Sequence, residues 1–156
     1  MAQTNEPLLS VKGLKQYFPV SKKFTVRAVD NISFDIYPGE TYGLVGESGS
    51  GKSTTGRSII RLYDPTEGTI LFNGEDISKK LTAKQEKMLR SDMQMVFQDP
   101  MASLNPHKKI LDTIAMGLDA HHPHMDQNER VERVSKMMEM VGLNPAYMNR
   151  YPNQFS

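Results

Sequence analysis

Residues 46–54 read GESGSGKST, and Gly46, Gly51, Lys52 and Ser53 meet the pattern GxxxxGK[ST] of a phosphate-binding P-loop. Such a loop works by turning backbone N–H groups inward on phosphate oxygens, which side chains would obstruct, so Gly46, Gly49 and Gly51 are the residues that permit the approach. Glu47, Ser48 and Ser50 supply further backbone to the cradle. A helix beginning near Gly51 would aim its unpaired N–H groups and positive dipole end at the same phosphates. Lys52 would then reach the β and γ oxygens, and the hydroxyl of Ser53, followed by Thr54, would ligate Mg²⁺. The chemistry implied is binding of the phosphates of ATP. A P-loop alone does not choose among kinases, GTPases and transport ATPases.

The elements around the loop have the order this requires. Residues 8–18 and 24–36 alternate as strands, with Phe24, Val26 and Ala28 and then Ile32, Phe34 and Ile36 on common faces, and a turn from Pro19 through Lys23. Pro38-Gly39 marks a turn, and the apolar run Thr41–Val45 reads as a buried parallel strand feeding the glycine-rich loop. The spacing predicts a helix from Ser53 to Tyr63, stopped at Asp64-Pro65, and a strand from Gly68 to Asn73. A charged helix is expected over 78–92, a buried strand over Met93–Phe97, and a polar turn over QDPMASLNP.

From Lys108 onward the pattern is helical. Ile110, Leu111, Ile114 and Leu118 form one apolar stripe, and Val131, Val134, Met138 and Val141 a second. Asp126 with Glu129 predicts a capping box, and Gly142 followed by Pro145 a C-terminal stop.

Composition narrows the partners. The 156 residues carry 19 Lys and Arg against 18 Asp and Glu, a balance that speaks against nucleic acid or another polyanion. Cysteine is absent, which excludes disulfides, thiolate metal sites and a Cys nucleophile and fits a reducing compartment. No window approaches the ~20 apolar residues that span a bilayer. His121, His122 and His124, with Asp119 and Asp126, have ligand chemistry for zinc or nickel but read as a polar loop between two helices. Met137, Met138 and Met140 read as core at helical spacing, with packing against a membrane subunit as the alternative, and the charge run from Lys79 to Arg90 as a solvated face.

Three features together, the aromatic pair Tyr17-Phe18, the P-loop, and Met95-Val96-Phe97-Gln98-Asp99-Pro100, make the chain resemble the ATP-binding subunit of an ABC transporter along essentially its whole length. The resemblance implies an α/β P-loop NTPase-like nucleotide-binding domain: an antiparallel β subdomain and parallel-sheet core over residues 1–100, then part of a helical subdomain over 101–156. It implies that Phe18, with Tyr17 as the alternative, stacks on adenine. It makes Gln98 the Q-loop glutamine, which contacts Mg²⁺ and the attacking water and links the site to the helical subdomain. The wording GESGSGKST, QDPMASLNP and YPNQFS is similar to the oligopeptide and dipeptide importer branch, which also includes nickel importers.

By the same resemblance the partners are transmembrane permease subunits and a second ATP-binding subunit, without nucleic acid, on the cytoplasmic face of the cell membrane. YPNQFS would open the family's signature, so the chain is expected to be an N-terminal portion lacking Walker B and the switch histidine, poor at hydrolysis and prone to aggregate alone. A soluble P-loop kinase and a non-transport ABC ATPase are the rival readings.

Overall fold

The computed structural model describes residues 6–99 and 103–155; Pro100, Met101 and Ala102 of the expected polar turn, and Ser156, lie outside the described residues. The chain is an α/β protein that divides into two compact units, residues 1–95 and 96–156.

The first unit is built on a sheet of four strands among the described residues, in the order β2-β1-β3-β4. These are β1 (Leu9–Ser21), β2 (Phe24–Ile36), β3 (Glu67–Phe72) and β4 (Glu75–Asp76). Neighbours are antiparallel throughout. β1 and β2 form a long hairpin whose first strand runs through Pro19 to Ser21, beyond the turn expected from Pro19 onward. β3 and β4 are joined by Asn73-Gly74, with φ of 50° and 78°. Asn-Gly is the dipeptide that most readily supplies two consecutive left-handed residues in a tight hairpin turn.

The alternation expected along β2 fails in the middle. Leu14 pairs with Ile32, Gln16 with Val29 and Tyr17 with Arg27, so β2 accommodates extra residues at two places. Each extra residue shifts the inward-facing phase by one. Val29, not Ala28, is consequently the buried residue, while Phe24 and Val26 are exposed. Asn31, at φ 58°, sits at the first of these irregularities.

The helices of this unit are α1 (Lys52–Ile59) and α2 (Ala83–Asp92). α1 stops short of the expected Tyr63 because Arg61 adopts a left-handed φ of 60° and turns the chain away. α2 starts later than expected, at Thr82, whose hydroxyl accepts from the Gln85 N–H in a capping box. Leu9, Val11, Leu14, Val29, Ile70, Phe72, Ile77 and Leu89 form the core.

Neither Thr41–Val45 nor Met93–Phe97 is a strand among the described residues. An all-apolar run suits a strand with neighbours on both edges and cover on both faces. Lacking ladder partners, both stretches run without regular structure, with Val45 90 % and Val96 92 % exposed. Tyr42 stacks on Phe34 at 4.9 Å.

In the second unit, α3 (Ile110–His121) and α4 (Gln127–Met140) pack through Ile110, Ala115, Val134 and Met138. Asp126 caps α4 by accepting from the Asn128 N–H at 2.7 Å. The expected reciprocal partner Glu129 instead accepts from Arg133 one turn on. Gly142, at φ 76°, ends the helix as expected, and the Leu143 N–H returns to the Met138 carbonyl. Of the three clustered methionines only Met138 is core; Met137 and Met140 are exposed, as is Val141.

Candidate nucleotide-binding site

The P-loop leaves the irregular Thr41–Val45 segment, turns tightly, and becomes α1 at Lys52. The turn closes on a Ser50 N–H to Glu47 carbonyl bond of 3.2 Å. Gly49 and Gly51 hold φ of 79° and 91°, a region where a side chain is strained. The first N–H groups of a helix have no carbonyl within it to receive them, so α1 presents donors at the loop.

Gly51 is required by space as well as by dihedral, whereas Gly46 faces only a side chain that can turn away. A Cβ on Gly51 would lie 2.2 Å from the Ala28 carbonyl oxygen, and one on Gly46 would lie 2.6 Å from Ser50 Oγ. Ala28 stands at the second irregularity of β2, so the distorted strand is what the end of the cradle rests against. The strand irregularity and the loop glycine are thus complementary in shape.

Lys52 reaches back over the loop. Its ammonium donates to the carbonyls of Gly46 and Glu47, both at 2.7 Å, and to Ser50 Oγ at 3.3 Å. Those contacts hold a positive charge over a backbone concavity that the exposed residues 46–50 leave open to solvent. Ser53 is exposed in the first turn of α1, and Thr54 is half-buried beside it. The residues present therefore fit a polyphosphate: close backbone made possible by glycine, a helix N-terminus, a lysine and a hydroxyl.

α1 is fastened to the sheet by residues that no motif pointed to. Ser58 is buried, and its single hydroxyl proton is shared between Gln16 Oε1 on β1, at 3.2 Å, and the Thr54 carbonyl, at 2.9 Å. Thr55, also buried, donates to the Gly51 carbonyl. Gln16, a buried polar residue in an otherwise alternating strand, was the available signal.

Gln16 also orients the aromatic pair. Since it faces α1, Phe18, two residues on, shares that face, and Tyr17 points to the other. Phe18 meets Tyr63, just beyond α1, edge to face at 5.2 Å. Tyr17 is engaged elsewhere: its hydroxyl donates to Asp30 at 2.5 Å, and the Arg27 guanidinium lies over its ring at 5.4 Å. The bond to Asp30, with burial second, holds the Tyr17 phenol above its ordinary range.

Gln98 lies on an exposed bend in the second unit. His121, His122 and His124 line a shallow surface pocket with Met125, Glu129 and Arg133. Among the described residues no group of three His, Cys, Asp or Glu side chains is placed to hold a metal ion.

The ABC transporter family model matches residues 29–156, from the middle of β2 through the P-loop, α3 and α4. The chain belongs to the ABC transporter family. It is 56 % identical over 151 residues to the oligopeptide transport ATP-binding protein OppF of Bacillus subtilis, covering 97 % of this chain and 49 % of that protein. It is 46 % identical to the dipeptide transport ATP-binding protein DppF of Lactococcus lactis, covering 96 % of this chain and 48 % of that one.

Among solved structures, the ATP-binding cassette MJ0796, a dimer bound to ADP and Pi, superposes with a TM-score of 0.79 at 27 % identity, over 95 % of this chain and 63 % of that one. CbiO1 of Clostridium perfringens, at 24 % identity and a TM-score of 0.70, shares the fold. The ABC chain described here spans about half the length of the relatives it matches. No helix among the described residues is long and apolar enough to cross a membrane.

Proposed function

We propose that this ABC protein binds Mg²⁺-ATP at Gly46–Thr54 as the energy-coupling subunit of a peptide importer. The observation that carries the reading is the loop itself, with Lys52 held over the Gly46 and Glu47 carbonyls at the start of α1. Lys52 would bind β and γ oxygens, the backbone of Glu47, Ser48, Gly49 and Ser50 would line the cradle, and Ser53 would hold Mg²⁺, with Thr54 beside it. The metal supplies neutralisation of phosphate charge. The ADP and Pi bound by the similar MJ0796 cassette support a nucleotide here.

Phe18 is the proposed adenine platform, and its place on the α1 side of β1 supports it over Tyr17. Gln98 is proposed to contact the metal and the attacking water. The division of the chain after Met95 supports a cradle-bearing domain over 1–100 and a helical subdomain over 101–156. The names of the similar relatives support oligopeptides or dipeptides as cargo. Permease subunits and a second ATP-binding subunit, at the cytoplasmic face of the membrane, are the proposed partners.

Lys52→Ala tests the site. Loss of one charge-assisted contact set is expected to weaken ATP by about ten- to a hundredfold, with the far-ultraviolet circular dichroism kept. Unchanged affinity in calorimetry would remove the cradle from the account.

A further inference from the structure

Tyr63 belongs to no motif, yet the chain fixes it beside Phe18 from both directions in sequence. After α1 the backbone reverses at Arg61, and the N–H groups of Leu62 and Tyr63 donate to the Arg57 carbonyl at 2.9 and 3.3 Å. The Arg61 side chain, 4 % exposed, donates to the carbonyls of Ile77 and Lys79 and to the Asp64 carboxylate. On the far side of Pro65, the Thr66 N–H donates to the Lys15 carbonyl, and Thr66 Oγ1 accepts from the Tyr17 N–H, both at 2.9 Å. Those two bonds stitch the segment to β1 on either side of Gln16. Between the anchors the Tyr63 ring meets Phe18, with centroids 5.2 Å apart and planes at 83°.

We propose that Tyr63 is a positioning residue for base recognition: it holds the plane of the Phe18 ring so that the platform is ordered before a purine arrives. The proposal rests on the reading of Phe18 as that platform. Phe18 lies near the end of a long hairpin, followed by exposed Pro19 and Val20, and without Tyr63 its side-chain torsions would have to be ordered by the ligand. Edge-to-face pairing removes that freedom beforehand. Segment 61–66 leads from the far end of the helix that begins at the cradle and is bonded to the strand that carries Phe18. On this reading the phosphates sit in the cradle and the base on Phe18, so the effect of Tyr63 would be confined to the base.

That confinement makes it testable with two ligands: ATP and inorganic tripolyphosphate, each with Mg²⁺, titrated calorimetrically into the protein and its Tyr63→Ala, Tyr63→Leu and Tyr63→Phe variants. Tyr63→Ala and Tyr63→Leu are expected to weaken ATP by about three- to tenfold, the range of an aromatic pair, with tripolyphosphate held within about twofold. Tyr63→Phe keeps the ring and should bind both as the parent does. An unchanged ATP affinity in Tyr63→Ala overturns the proposal, and so do equal losses of both ligands, which make Tyr63 structural only. Phe18→Ala separates this from the underlying reading: if it leaves the preference for ATP over tripolyphosphate intact, the platform itself is wrong.

Discussion

Replacing Gly51 by alanine probes the fit between the cradle and β2, and Gly49 supplies the control within the same loop. Both glycines have positive φ, 91° and 79°, so alanine at either is strained by about 1–2 kcal/mol. Around Gly49 a new Cβ meets nothing within 4 Å, and the strain is the whole effect. At Gly51 the Cβ would also lie 2.2 Å from the Ala28 carbonyl oxygen, where ordinary carbon–oxygen contacts are about 3.3 Å. Relief requires backbone to move by about an ångström, and overpacking of that kind costs about 1–3 kcal/mol. Gly51→Ala should therefore be destabilised by about 2–5 kcal/mol in urea unfolding, against about 1–2 for Gly49→Ala. Equal shifts of the two midpoints would refute the claim that the strand irregularity at Ala28 and the loop glycine are shaped to each other.

Two further outcomes concern the second unit. Met138 is fully buried against α3, and Met138→Ala should cost about 2–5 kcal/mol, read as loss of protection of the amides in 110–140 by hydrogen exchange. Arg130 donates to both carboxylate oxygens of Asp119, at 2.9 and 3.1 Å, which holds the Asp119 carboxyl below its ordinary range. Such a group contributes stability that is complete above the unfolded-state value, near pH ~4, and is lost as pH falls through the lower folded-state value. Asp119→Asn should lower stability at neutral pH and flatten that acid-side loss, as circular dichroism during acid titration would report; an unaltered acid limb would contradict the assignment.

Legibility in the sequence followed the range of the interaction. GESGSGKST could be read at once because a phosphate cradle needs backbone access, a helix start and a cation within a few residues of one another. The stripes Ile110–Leu118 and Val131–Met138, and the stop at Gly142, are likewise local, since helix period and glycine's left-handed freedom are properties of neighbouring residues. The apolar runs Thr41–Val45 and Met93–Phe97 misled because apolarity declares a wish for cover, while a strand needs a partner to hydrogen-bond.

What the sequence by itself determined is the cradle: its glycines, Lys52, Ser53 and the helix that begins there. Only the tertiary structure decided which surface that cradle rests on, which of Tyr17 and Phe18 turns toward α1, and that Arg61 ends α1 early and sets Tyr63 against Phe18. Those outcomes depend on the two register shifts of β2, on the buried Gln16–Ser58 hydrogen bond and on the Thr66 stitches to β1. Each joins residues far apart in the chain, and a period read along the sequence carries no information about which distant strand will supply the partner.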